Sequence, residues 1–140
     1  MTIAALITWV ITALGGFYML GTWLSRGGVR SGSSRLPVPV VFGHFALAAI
    51  GLVFWIIYAI TDTDALAWTA FGLLVPVALL GFVMLARWLP TYRATRTATA
   101  TGEGEPAERY FPVPVVLAHG LFAVITVVLV LLTALGVGES

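Results

Sequence analysis

The chain contains no cysteine and no lysine, and charged residues make up only 9% of its 140 positions. Without cysteine it can form no disulfide, no cysteine-ligated iron–sulfur centre and no thioether-attached haem. Without lysine it can form no retinal Schiff base and no other lysine-based covalent intermediate. The scarcity of charge sets it far from soluble domains, in which about a quarter of residues are charged. A net charge of +1 gives no reason to expect a nucleic-acid partner. What fills the sequence instead is apolar: 60% of residues are hydrophobic. At this length there is room for a single transmembrane domain, residues 1–140, with short connections.

Four stretches approach the ~20 apolar residues that a helix needs to cross the hydrocarbon core. They cover residues 3–24, 39–60, 65–89 and 114–136. Lipid leaves no partner for an unpaired backbone group, so each is read as a helix, including the β-branched fourth stretch. The predicted class is therefore all-α, an integral membrane four-helix bundle. The N-terminus has no basic stretch before its apolar run and no convincing cleavage site, so the first segment reads as a permanent helix.

All seven positive side chains are arginine and they cluster. Arg26, Arg30 and Arg35 lie between the first two spans, in a loop of about residues 25–38. Arg87, Arg93, Arg96 and Arg109 lie around a loop of about residues 90–113. Excess arginine marks cytoplasmic loops, which places both termini outside. The high Ala, Val, Gly and Thr content and the use of arginine alone point to a bacterial cytoplasmic membrane. Trp23 and Trp88 fall at one boundary, and Trp55, Tyr58 and Trp68 toward the other. Most are read as interfacial anchors. Thr61-Asp62-Thr63-Asp64 joins the second and third spans, with Asp64 suited to cap a helix. Pro76 is expected to interrupt the third helix and free the carbonyl of Gly72.

Two blocks recur in the same order. Gly16-Phe17-Tyr18-Met19-Leu20-Gly21-Thr22-Trp23-Leu24 matches Gly81-Phe82-Val83-Met84-Leu85-Ala86-Arg87-Trp88-Leu89. Pro37-Val38-Pro39-Val40-Val41-Phe42-Gly43-His44 matches Pro112-Val113-Pro114-Val115-Val116-Leu117-Ala118-His119. The reading is two tandem helical hairpins, about residues 3–60 and 65–136, related by a pseudo-two-fold axis along the membrane normal. The longer second loop contains a polar, low-complexity run over residues 94–105, expected to be mobile.

The only two histidines, His44 and His119, hold the same place in the two repeats. Proline starts each even helix, and each histidine follows the second proline by five residues. At about 1.5 Å per residue both imidazoles lie one to two turns inside the membrane, at one depth. Buried ionisable groups face a bundle interior or a cavity. Ala48 and Ala123 stand one turn on, and Gly43 and Gly120 flank the histidines, giving room for close approach or a flat ligand. Two facing imidazoles suit a haem b with both axial positions filled. Arg35 and Arg109, just before the Pro-Val-Pro elements, suit its carboxylates.

This pattern resembles that of membrane b-type cytochromes, such as the small haem-bearing anchor subunits of respiratory complexes. The resemblance rests on His44 and His119. It implies electron transport to or from a quinone or a redox partner subunit, in the lipid bilayer, with oligomers open. It favours an electron-transfer or accessory protein over a stand-alone enzyme and leaves the question of enzyme activity open. Two alternatives remain: a cofactor-free accessory or scaffolding membrane protein, and a small proton- or metal-linked transporter. No carboxylate lies within a span, and no nucleophile stands at a recognisable spacing from either histidine. Tyr18, Thr8 and Thr12 are candidates either to touch a ligand or to join helices.

Overall fold

The computed structural model describes residues 1–97 and 104–137. It is all-helical, with α1 over Thr2–Ser25, α2 over Val38–Thr61, α3 over Asp64–Thr97 and α4 over Val113–Ala134. A short 3-10 turn, Ala107–Tyr110, precedes α4. All four α-helices are long and apolar enough to cross a membrane, which suggests a multi-pass membrane protein. The shortest has 22 residues, or about 33 Å at 1.5 Å per residue, against a hydrocarbon core of about 30 Å. Leu14, Phe17, Leu79, Phe82, Leu117 and Leu121 point outward, more than half exposed. Lipid is the solvent in which such a surface is stable.

The helices form a square in which α2 packs chiefly on α3, and α1 on α4. Contacts between α1 and α2 and between α3 and α4 close the ring more loosely. Helices α1 and α3, like α2 and α4, lie on diagonals without backbone contact among the described residues. Proline sets the start of both even helices: Pro37 and Pro112 are extended N-caps, and Pro39 and Pro114 sit in the first turns. Asp62 ends α2 in the left-handed conformation, which Asp tolerates better than most residues. Asp64 then opens α3, its carboxylate in the turn where the helix dipole favours negative charge.

Helix α3 departs from the expectation in two ways. Pro76 does not interrupt it, and it continues through Pro90 to Thr97, past the predicted end at residue 89. A proline removes one backbone hydrogen bond, and the neighbouring turns carry the helix through. Beyond Pro90 the side chains support the extension. Trp88 stacks on Tyr92 at 5.0 Å between ring centres, and Thr95 Oγ1 donates to the Thr91 carbonyl at 2.6 Å. Residues 94–97 are thus helical, and residues 98–103 of the run expected to be mobile lie outside the described residues.

The tryptophans also depart from expectation. Trp23, Trp55 and Trp88 are buried, as are Tyr58 and Trp9, whereas Trp68 is 44% exposed. Each buried indole of the first three donates inside the fold: Trp23 to Ser34 Oγ at 2.9 Å, Trp88 to the Glu108 carbonyl at 3.1 Å, Trp55 to the Thr2 carbonyl at 3.3 Å. An indole whose N–H has a partner can enter a core, so these residues hold the bundle together internally. Trp9, Trp55, Tyr58, Leu74, Val77 and Val130 share one cluster toward the chain termini. Trp23, Leu36, Val41 and Ala107 form a second at the arginine-bearing end.

Glu108 fastens the two arginine-bearing connections to each other. Its side chain is fully buried. Ser34 Oγ donates to its Oε2 at 2.9 Å, and the Arg35 backbone N–H donates to its Oε1 at 2.6 Å. With Trp23 on Ser34 and Trp88 on the Glu108 carbonyl, one network ties α1 and α3 to both connections. Replacing Glu108 by Ala removes the acceptor of two part-buried hydrogen bonds and should cost about 1–3 kcal/mol, read as a lower melting temperature in detergent. At Gly28 an added Cβ would stand 2.2 Å from Trp23 Cε2, on a stiff ring. Gly28→Ala should therefore destabilise by about 1–3 kcal/mol and change Trp fluorescence. An unaltered emission spectrum would show that Trp23 is not fixed there.

Candidate functional site

His44 on α2 and His119 on α4 face each other across a diagonal of the square, between the two apolar clusters. Their ring centres lie 6.2 Å apart with planes inclined at 53°. Neither ring is fully enclosed. His44 Nδ1 lies 2.9 Å from the Val77 carbonyl on α3, and His119 Nδ1 lies 2.8 Å from the Thr12 carbonyl on α1. A carbonyl oxygen only accepts, so Nδ1 carries the proton in both rings. In the neutral ring Nε2 is then a lone pair. The arrangement is two oriented imidazoles, each with one ring nitrogen spent on the fold and the other available as a ligand or acceptor.

The rings reach those carbonyls because glycine stands beside them. An added Cβ at Gly16 would lie 3.2 Å from His119 Cε1, and one at Gly81 would lie 3.3 Å from His44 Cε1. Each glycine follows the accepting residue by four positions, so carbonyl and gap share one helix face. Gly15 adds space beside His119, where a Cβ would make ordinary contact at 3.5 Å.

The residues flanking the histidines in sequence behave differently. Gly120 is exposed, and an added Cβ would meet nothing within 4 Å. Gly43 faces Leu80, whose Cδ1 would lie 3.8 Å from such a Cβ. One residue before or after a histidine is turned about 100° away on the helix, in opposite senses, so the two glycines present different faces. Ala48 is half-buried and packs against the cluster toward the termini; Ala123 is half-buried.

Arg35 and Arg109 come together at the arginine-bearing end, lining a cavity of about 190 Å³ with Thr91, Thr95 and Glu105. Arg109 is ion-paired with Glu105. The Arg35 carbonyl accepts from Arg87 Nη1 at 3.3 Å. On α1, Thr12 Oγ1 donates to the Thr8 carbonyl at 2.8 Å, and Thr126 of α4 meets Thr8 Oγ1 at 2.9 Å. The Thr126–Thr8 pair joins α4 to α1, the Thr12 hydroxyl bonds within its own helix, and Tyr18 faces outward. Among the described residues no group of three or more His, Cys, Asp or Glu converges. A bare zinc ion held by protein ligands alone would need at least three.

Sequence reasoning selected both histidines and named Thr12 for its hydroxyl, but missed the Thr12 carbonyl, Val77, Gly16, Gly81 and Glu108. The glycines did carry a signal, since each heads a repeated block. The carbonyls carried none, because every residue has one. The geometry requires both imidazoles to be Nδ1–H tautomers, which ¹⁵N NMR of histidine-labelled protein in detergent should display as two protonated Nδ1 and two unprotonated Nε2 signals. Nε2–H signals instead would dissolve the pairing with Thr12 and Val77. No known family model matches the chain, and no curated protein or solved structure matches it significantly.

Proposed function

We propose that this chain is a membrane-embedded b-type haem protein, with His44 and His119 as the two axial ligands, serving electron transfer to or from quinol or a partner subunit. The observation that carries the reading is the pair of neighbouring imidazoles, each with Nδ1–H given to a backbone carbonyl and Nε2 left free. Metal-ligating histidines characteristically donate their other nitrogen in this way, which fixes the tautomer and raises ligand basicity. The spacing fits as well. The ring centres lie 6.2 Å apart, close enough for one group to engage both imidazoles. The donor set is short of protein ligands for a bare ion, and a macrocycle brings its own four nitrogens.

Bound haem would supply reversible one-electron chemistry, with both axial positions filled and so without oxygen binding. The chain's own part is to orient the two imidazoles through their Nδ1–H bonds and to shield them with the apolar clusters on either side. Arg35 is the guanidinium proposed to meet a haem carboxylate; Arg109 would first have to leave Glu105.

The duplication belongs to the same proposal. The groups that hold His119, Thr12 and Gly16, stand at positions matching those that hold His44, Val77 and Gly81. That correspondence supports two parallel hairpins about a pseudo-two-fold axis, with crossed packing between them. Orientation follows the arginines: their loops face the cytoplasm of a bacterium and the termini lie outside.

A cofactor-free scaffold is the second reading, favoured by one observation: each imidazole already has a hydrogen-bond partner in the bundle. A visible spectrum of detergent-purified protein, made with haem precursor and recorded before and after dithionite, separates the two. The expected result is a Soret band that sharpens on reduction with split visible bands, abolished in both His44→Ala and His119→Ala. A colourless protein that takes up no added haemin leaves the scaffold reading standing.

A further inference from the structure

Each imidazole is held by a helix other than its own, in the other half of the chain. His119, on the last helix, rests on the first; His44, on the second, rests on the third. We infer that Gly16 and Gly81 are positioning residues for these rings in a crossed sense, Gly16 aiming Nε2 of His119 and Gly81 aiming Nε2 of His44. The inference extends the haem reading, on which its consequence for ligation rests. The aiming itself stands on the bundle's geometry alone.

The imidazole is a rigid plate tethered at two points, its Cβ on one helix and its Nδ1–H on the carbonyl of another. A methyl at Gly16 would sit 3.2 Å from Cε1 of His119, and one at Gly81 would sit 3.3 Å from Cε1 of His44. Both lie inside the 3.4 Å at which ordinary contact begins. The ring has to yield. Since Cε1 is bonded to both ring nitrogens, yielding either stretches the Nδ1–H bond to the carbonyl or swings Nε2. No side-chain substitution removes a backbone carbonyl, so the glycine is the one handle on ring aim that leaves the hydrogen-bond partner in place.

Gly51 is equally tight against Trp9, as packing alone can require, but among the described glycines only Gly16 and Gly81 press this closely on an imidazole. Gly21, Gly72 and Gly120 lie in the same helices with nothing within 4 Å of an added Cβ. Gly15 adjoins the same histidine as Gly16, yet its Cβ would make only ordinary contact, 3.5 Å from His119 Cβ and 3.6 Å from Nδ1. Close approach below that threshold, directed at Cε1, is shared by Gly16 and Gly81. The two glycines also occupy equivalent places relative to their carbonyls, four residues beyond Thr12 and Val77.

The test uses the full chain in detergent, ¹⁵N-histidine labelled, with four variants: Gly16→Ala, Gly81→Ala, Gly15→Ala and Gly120→Ala. Alanine is the better helix former, so loss of folding is not anticipated, and melting temperatures check it. Without haem, Gly16→Ala should shift the ring resonances of His119 and spare those of His44, and Gly81→Ala should do the reverse. Gly15→Ala and Gly120→Ala should leave both near their original positions. With haemin added, the first two variants should bind about 10–100-fold more weakly, the range typical when the group orienting a ligating histidine is lost, and the two controls should bind as the unaltered chain does. Resonances that do not move in Gly16→Ala and Gly81→Ala, or that move alike in all four variants, overturn the inference. An unaltered chain that takes up no haemin defeats the haem reading, while the crossed pattern of resonance shifts still decides the positioning role.

Discussion

A polar group inside an apolar bundle must find its partner within the protein, because lipid offers none. Most of the specific features of this structure follow from that requirement. The imidazoles donate to the Thr12 and Val77 carbonyls. The buried indoles donate to Ser34, Glu108 and Thr2. The buried carboxyl group of Glu108 collects donors from the opposite connection, and helical threonines donate back to carbonyls one turn earlier. Each such bond adds modest stability, but leaving any of them unmade costs more, so together they select one packing of four otherwise interchangeable apolar helices.

The same constraint shapes the space around the histidines. To reach a carbonyl already inside a helical ladder, an imidazole must lie against the helix backbone, and glycine one turn on is what allows it. The result is a site whose two halves are built crosswise: α1 supports the ligand candidate on α4, and α3 supports the one on α2. The strong packing of α1 with α4 and of α2 with α3 is the same arrangement at the scale of whole helices. The bundle's two ends are secured differently, by aromatic packing toward the termini and by the Glu108 network beneath the arginine-bearing connections.

Much of the fold was legible because spanning helices declare themselves by length and apolarity, and because proline announces a helix start. Pro37 and Pro112 cap α2 and α4 as their positions implied. The end of α3 was not legible: Pro90 and the polar run after it read as a loop, whereas aromatic stacking and threonine hydroxyls carry the helix to Thr97. Trp23 and Trp88 read as interfacial anchors for a similar reason. Composition places a tryptophan near a boundary, but the acceptor that draws it inside lies more than ten residues away in the chain.

For the candidate site, the sequence by itself determined that the two histidines stand equally far from the starts of the second and fourth apolar helices, since spacing from proline and the 1.5 Å rise per residue require nothing else. Only the tertiary structure decided which ring nitrogen is committed, which helix commits it, and which glycines border the rings. The reason is physical. Hydrogen bonding to a backbone carbonyl depends on where that carbonyl sits and not on which residue bears it. An unfilled space beside a glycine likewise acquires meaning only when a neighbouring side chain enters it, as His119 and His44 do at Gly16 and Gly81.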